Sequence, residues 1–173
     1  MGRRTASIPN TIQPMSRKSP LDRIDFEILA ALQNDARISN KELAALVQLA
    51  PSTCLERVRR LRASGALRGF HADVEPAALG IGLEALVSVR IRRHSRSLLE
   101  EFEAHILAQP ETANLFHVAG AYDFMVHVVV RDAAHLRELA LEAFTTRPEV
   151  EHMETALVFD HKQNPALPNF SER

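Results

Sequence analysis

The chain has 173 residues, 46% hydrophobic and 25% charged, the balance of a soluble globular protein with room for one ordinary domain or two small ones. No run approaches the roughly 18 apolar residues of a membrane span, and the first twenty residues hold no apolar stretch long enough for a signal peptide. A cytoplasmic protein is therefore expected, and the single cysteine, Cys54, which cannot form an internal disulfide, fits a reducing compartment.

The net charge of −1 divides unevenly. Residues 1–70 carry 12 Lys+Arg against 6 Asp+Glu, and residues 71–173 carry 9 against 16. A basic front half joined to an acidic back half points to a polyanion-binding region and a second region with another task.

In chain order, residues 1–20 are polar and basic and read as a disordered tail. Leu21, Ile24, Ile28, Leu29 and Leu32 then recur at helical spacing and predict a first helix with one apolar face. Asn34 to Arg37 breaks it. Ser39-Asn40-Lys41-Glu42 is a capping box, in which the serine oxygen accepts from the backbone N–H three residues on and the glutamate reaches back. A second helix follows to about Val47, expected to bury Leu43, Leu46 and Val47. After a short turn, Pro51 suits the first position of a third helix, which runs to about Ala63 and stops at Gly65. Two helices joined by a short turn are the helix-turn-helix arrangement, here placed at 21–68. Residues 69–83 are read as a strand and linker, with the strand or ribbon drawn over Leu67 to Val74.

The second half alternates between strand and helix patterns. Strands are predicted at Ala85 to Ile91, Ala113 to Ala119, Phe124 to Val130 and Val150 to Phe159. Helices are predicted around Leu98, Leu99, Phe102, Ile106 and Leu107, and around Leu136, Leu139, Ala140, Ala143 and Phe144. Gly120-Ala121-Tyr122-Asp123 is a turn. The order β-α-β-β-α-β is the ferredoxin-like pattern, assigned to 84–162, with a C-terminal tail at 163–173. The fold class is α+β: a winged-type helix-turn-helix domain followed by a ferredoxin-like domain.

The third helix carries the chemistry of the front half. Cys54, Val58 and Leu61 share a face and should pack inward. Ser52, Thr53, Glu56 and Arg60 then lie on the exposed face, flanked by Arg57 and Arg59. A major-groove reader needs this distribution, because the groove admits one helix whose N-terminal residues reach base edges. Serine and threonine hydroxyls can approach bases, Glu56 can accept from cytosine N4, Arg60 can address guanine or phosphate, and Arg57, Arg59 and Arg62 can address phosphates. Cys54 is read as a small core residue.

Leu21-Asp22-Arg23-Ile24-Asp25, Asn34 to Ser39, Glu42-Leu43-Ala44 and Pro51 to Leu61, followed by Gly65-Ala66-Leu67-Arg68-Gly69-Phe70, resemble the Lrp/AsnC family of bacterial and archaeal feast/famine regulators. The resemblance runs from about Leu21 to Pro168. It implies double-stranded DNA as a partner, through Ser39, Pro51, Ser52, Thr53, Glu56, Arg57, Arg59 and Arg60. It also implies a C-terminal domain that pairs through its sheet into dimers, often assembled into octamers, and binds an amino-acid effector at an interface between dimers. Val118, Gly120, Ala121, Tyr122 and Asp123 resemble the effector loop, where Gly120 admits a ligand close to the backbone and Asp123 can attract an α-ammonium group. The same residues also read as a tight hairpin turn capped by Asp123. Met153 and Thr155 alternate onto one strand face, where the family commonly has small hydroxyl residues; Thr155 fits and Met153 departs. Ala50 departs too, replacing the usual serine cap of the third helix.

No glycine-rich phosphate loop, Cys-x-x-Cys pair, zinc-binding histidine pair or nucleophile elbow is present, so no cofactor, metal or catalytic residue is expected. His117 and His127 fall on neighbouring strands and could face one another. Three functions of different class are consistent with this reading: an effector-responsive transcription factor, an architectural DNA-binding protein without effector, and a tetrapyrrole decarboxylase of related fold. The arginine-rich third helix favours the first two.

Overall fold

A computed structural model describes residues 21–92, 95–164 and 166–171; the expected N-terminal tail lies outside these residues. The chain divides into two units, one comprising residues to Ala72 together with those from Gln163 onward, the other Asp73–Lys162.

The first unit is built from three helices: α1 Arg23–Asn34, α2 Asn40–Leu46 and α3 Pro51–Ser64. Each boundary has a local cause. Asp22 caps α1, accepting from the Asp25 N–H at 2.9 Å while Asp25 accepts back from the Asp22 N–H at 3.2 Å. Ser39 and Glu42 form the expected capping box on α2. Gln48 turns the chain with a φ of 54°, and Pro51 starts α3, whose N-cap Ala50 supplies no side-chain bond. The Asn40 amide instead ties the two helix starts together by donating to the Pro51 carbonyl at 2.8 Å. Gly65 ends α3 in the left-handed region, at φ 77°.

The core of this unit is Ile28, Leu32, Leu43, Ala44, Val47, Cys54 and Leu61. Leu46, expected inside, is 62% exposed, and Ala44 takes its place. At about 100° per residue, Leu43, Ala44 and Val47 share a narrow face of this short helix and Leu46 falls well outside it. No strand forms over Leu67 to Val74; the chain leaves α3 without regular structure. An isolated strand has no ladder partner, and every described strand belongs to the other unit. From the C-terminal segment, the Leu167 N–H donates to the Gln33 side chain at 2.7 Å.

The second unit opens with a 3₁₀ turn at Pro76–Leu79 and continues as β1 Leu83–Ile91, α4 Arg96–Leu107, β2 Thr112–His117, β3 Phe124–Val130, α5 Ala133–Leu139 and β4 Val150–Val158. A π-helical turn at Ala140–Thr145 extends α5. The sheet order is β2-β3-β1-β4, and all three pairings are antiparallel. This is the expected ferredoxin-like arrangement.

Alternation sets the two faces of the sheet. Ala85, Val87, Val89 and Ile91 of β1 and Phe124, Val126, Val128 and Val130 of β3 are buried, packed with Phe102 and Ile106 of α4 and Leu136, Leu139, Ala143 and Phe144 of the second helical segment. Phe102 and Phe124 lie 5.0 Å apart between ring centroids. Leu107, predicted on the apolar face of α4, is 47% exposed at the helix end. The opposite sheet face presents Leu86, Met125, Val129 and Phe116, half-buried or exposed.

The contrast between two leucines of α2 checks this packing. Leu43→Ala should cost about 2–5 kcal/mol, whereas Leu46→Ala should stay within about 0.5 kcal/mol of the unmodified chain, both read by urea unfolding followed by circular dichroism.

Candidate nucleic-acid interface and effector loop

The third helix presents its polar residues much as their spacing requires. Ser52, Thr53, Glu56, Arg59 and Arg60 are exposed and Arg57 is half-buried, while Cys54 and Leu61 point inward with no exposure. At about 100° per residue, Ser52, Glu56, Arg59 and Ala63 span a sector of about 60° opposite Cys54 and Leu61. Arg60 lies about 70°, and Arg57 about 130°, round from the centre of that sector. Pro51 and Ser39 are exposed at the starts of α3 and α2.

Helix periodicity does not reveal how the arginines are held. Asp25 on α1 is 0% exposed, and its carboxylate accepts from Arg57 Nη1 at 2.9 Å and from Arg60 Nη2 at 2.9 and 2.7 Å. Arg57 Nη1 also donates to Asp22 at 2.7 Å. Beside Arg57, and with the Asp25 N–H bonded to it, the Asp22 carboxyl is held below the usual carboxylate range. The same contacts, Asp22 first, raise Arg57 further. Arg62, on the far flank, lies over the Phe70 ring at 5.9 Å. The two aspartates belong to the Leu21–Asp25 string, whose charged spacing was a signal of the family but not of this contact. Burial pushes the Cys54 thiol up, in keeping with a core role.

In the second unit, Val118 to Asp123 form a closed loop. The Val118 N–H donates to the Asp123 carbonyl at 2.8 Å, and the Asp123 N–H to the Val89 carbonyl at 2.9 Å. Gly120 has a φ of 134° and open space where a side chain would stand. The Asp123 carboxylate accepts from the Ile91 N–H at 2.7 Å, where the β1–β4 register shifts between Arg90 and Ile91. It thus bridges the loop to the irregular end of β1.

The remaining effector candidates are not all brought together. Met153 and Thr155 pair with Val89 and Val87 and share their face, the one the helices cover; Met153 packs against the core, with Thr145 Oγ1 3.7 Å from its sulfur. Tyr122 lies over His152, ring centroids 6.3 Å apart, and is bonded to Glu154, which pushes its hydroxyl up. His152 and Glu154 alternate with Met153 and Thr155, so Tyr122 meets the other face. Ala121 is exposed in the loop.

His117 and His127 do not face one another. His117 pairs with Phe124 and stacks on its ring at 4.8 Å, whereas His127 is three residues further along β3 and so projects from the opposite face. There its Nε2 lies 2.7 Å from Glu84. Among the described residues, no group of three or more His, Cys, Asp or Glu side chains is placed to hold a metal ion, and no helix is long and apolar enough to cross a membrane.

A capped α2, a short turn and an exposed, arginine-bearing α3, followed by a separate α+β unit, define a helix-turn-helix protein with an appended ferredoxin-like domain. Comparison with known proteins agrees. Residues 21–62 match the AsnC-type helix-turn-helix domain, and residues 84–167 match the Lrp/AsnC ligand binding domain. The HTH-type transcriptional regulator AldR of Mycolicibacterium smegmatis is 43% identical over 145 residues, covering 84% of this chain and 85% of that protein. The leucine-responsive regulatory protein of Salmonella typhimurium is 36% identical over 148 residues, covering 84% and 90%. A transcriptional regulator of Neisseria meningitidis, solved as a complex with L-Met, superposes with a TM-score of 0.79 at 29% identity, covering 86% of this chain and 97% of that one.

The chain belongs to the Lrp/AsnC family and is a transcriptional regulator with a helix-turn-helix and a ligand-binding domain.

The bridge from the Gly120 loop to β1 has a measurable consequence. Asp123→Ala leaves the Ile91 N–H without its acceptor and should destabilise the protein by about 1–3 kcal/mol, seen as a lower urea midpoint with no ligand present.

Proposed function

We propose that this protein is a sequence-specific DNA-binding regulator whose occupancy of its operator is modulated by a small amino acid. The observation that carries the DNA-binding half is the exposed sector of α3, where Ser52, Glu56 and Arg59 stand together at the N-terminal two-thirds of the helix, exposed among the described residues. Such a helix fits the major groove, with short side chains against base edges and an arginine long enough to reach guanine. Ser39 and Pro51, at the neighbouring helix starts, stand where phosphate oxygens would pass.

Two features support the effector half. The Neisseria meningitidis relative of the same fold was solved with L-Met, and the Gly120 loop here has left-handed backbone and open space above it. Gly120, Ala121 and Tyr122 offer backbone N–H groups to an α-carboxylate, Val118 closes the loop that presents them, and Asp123 and Glu154 supply negative charge for an α-ammonium group. Met153 and Thr155 lie on the helix-covered face of β4, away from Tyr122, and are left outside the proposed effector contacts. An effector bound where subunits meet would shift the balance among assemblies and so change DNA occupancy.

The partner proposed for the sheet face opposite the helices is a second copy of the chain. Leu86, Met125, Val129 and Phe116 form an apolar surface on one side of a four-stranded sheet, and a second copy of the same face would bury it in a two-fold dimer. A dimer carries two copies of α3, the number a site with two half-sites one helical turn, about 34 Å, apart requires.

Fluorescence anisotropy at fixed salt tests this function, comparing DNA from upstream of the protein's own gene with a scrambled duplex, each with and without a panel of amino acids. Preference for the native fragment by ~10³-fold or more is expected, with at least one amino acid shifting it. Equal weak binding to both duplexes, unmoved by any amino acid, would instead indicate an architectural protein.

A further inference from the structure

The four arginines of α3 are not equivalent. Arg57 is held by Asp22 and Asp25, Arg60 by both oxygens of Asp25, and Arg62 lies over Phe70. Arg59 alone among them has no ion pair or ring contact among the described residues, and it stands in the exposed sector with Ser52 and Glu56.

We propose that Asp25 is a positioning residue for DNA recognition: by clamping Arg57 and Arg60 against α1, it leaves Arg59 as the arginine that determines base specificity. The assignment rests on the DNA-reading function proposed above. It departs from the allocation that residue spacing alone suggests, in which Arg60 reads bases and Arg59 only phosphates.

Three physical arguments support it. First, the Asp25 side chain is 1% exposed and must keep cationic partners, because a buried carboxylate stripped of them carries a large desolvation penalty. Swinging Arg57 or Arg60 away to DNA would incur part of that penalty, whereas moving Arg59 breaks nothing. Second, direction decides reach. Arg57 and Arg60 are drawn round the helix toward α1, away from the line through Ser52, Glu56 and Arg59 along which a groove floor would lie. Third, charge is balanced locally. Two carboxylates face two guanidinium groups in the clamp, so this corner offers DNA little net positive charge, and Arg59 keeps its charge available.

Asp25 also fixes the height of α3 against α1. It closes the capping box of α1 through the Asp22 N–H at 3.2 Å while holding side chains that start 32 and 35 residues later. One carboxylate therefore sets the start of α1 and the azimuth of α3, which is the quantity that selects the residues facing the groove.

The test uses the full-length chain. A duplex library randomised over about three helical turns is enriched on the unmodified protein. The enriched duplex and a scrambled one are then titrated at several salt concentrations against three variants, each first checked for fold by circular dichroism. Arg59→Ala should lose about 10- to 100-fold on the enriched duplex and far less on the scrambled one, erasing the preference. Arg60→Ala, which leaves Arg57 on Asp25, should keep the preference. Asp25→Asn should steepen the slope of log affinity against log salt by about 0.9 for each arginine released to phosphate, a change that simple loss of packing does not produce.

The proposal is overturned if Arg60→Ala erases the preference while Arg59→Ala keeps it, or if Arg59→Ala weakens both duplexes equally, which would mark a phosphate contact. Should Asp25→Asn fail to fold, the Arg59 and Arg60 variants decide the matter by themselves. If the unmodified protein enriches no sequence, the DNA-reading function itself fails, a result distinct from any of these because it is read before a variant is made.

Discussion

The DNA-binding unit depends on one buried carboxylate. Asp25 sits between α1 and α3 with no exposure and receives Arg57, Arg60 and the Asp22 backbone. A three-helix unit of this size has a small apolar core, here seven buried residues, and cannot set the angle between its helices by packing volume alone. A charged group that must be satisfied from defined directions adds that constraint. Breaking such a pair from one side costs far more than the pair contributes over an apolar substitute, so the contact acts chiefly on orientation. The orientation it sets turns Ser52, Glu56 and Arg59 outward together.

A second aspartate performs a related task in the ligand-binding domain. Asp123 stands in the loop that bears the resemblance to an effector site, yet its carboxylate is bonded to the Ile91 N–H at the point where the β1–β4 ladder loses register. The loop and the irregular strand end are thus joined. Any ligand that draws on Asp123 also pulls on the end of β1, at the sheet centre, where β1 pairs with both β3 and β4. That connection couples the loop to the strands that form the sheet face opposite the helices. Tyr122, reaching over to His152 and Glu154 on that face, is a second link.

Much of this architecture was legible in the residues. Ser39 and Glu42, Pro51 and Gly65 mark helix ends by local chemistry that works identically in a short peptide and in a fold. The alternation of Val87, Val89, Val126 and Val128 set the sheet faces, because period two leaves no choice of side. Misplaced features depended on partners that a single segment does not contain. Leu46 satisfies helical spacing, but a two-turn helix buries only one narrow stripe. Leu107 satisfies it too, but stands where α4 ends. The segment after Gly65 has strand-like residues and no ladder partner. His117 and His127 lie on adjacent strands, yet their positions relative to Phe124 put them on opposite faces. The arginines of α3 were visible as a charged face; that two of them answer to aspartates 32 to 35 residues earlier follows only from how α1 crosses α3.

The most direct measurement is a crystal structure of the protein bound to a duplex it has selected. The account predicts the N-terminal part of α3 in the major groove, the Arg59 guanidinium at a base edge, and Arg57 and Arg60 still bonded to Asp25. A complex in which Arg57 or Arg60 has left Asp25 for the bases, with Arg59 turned to solvent, would contradict it.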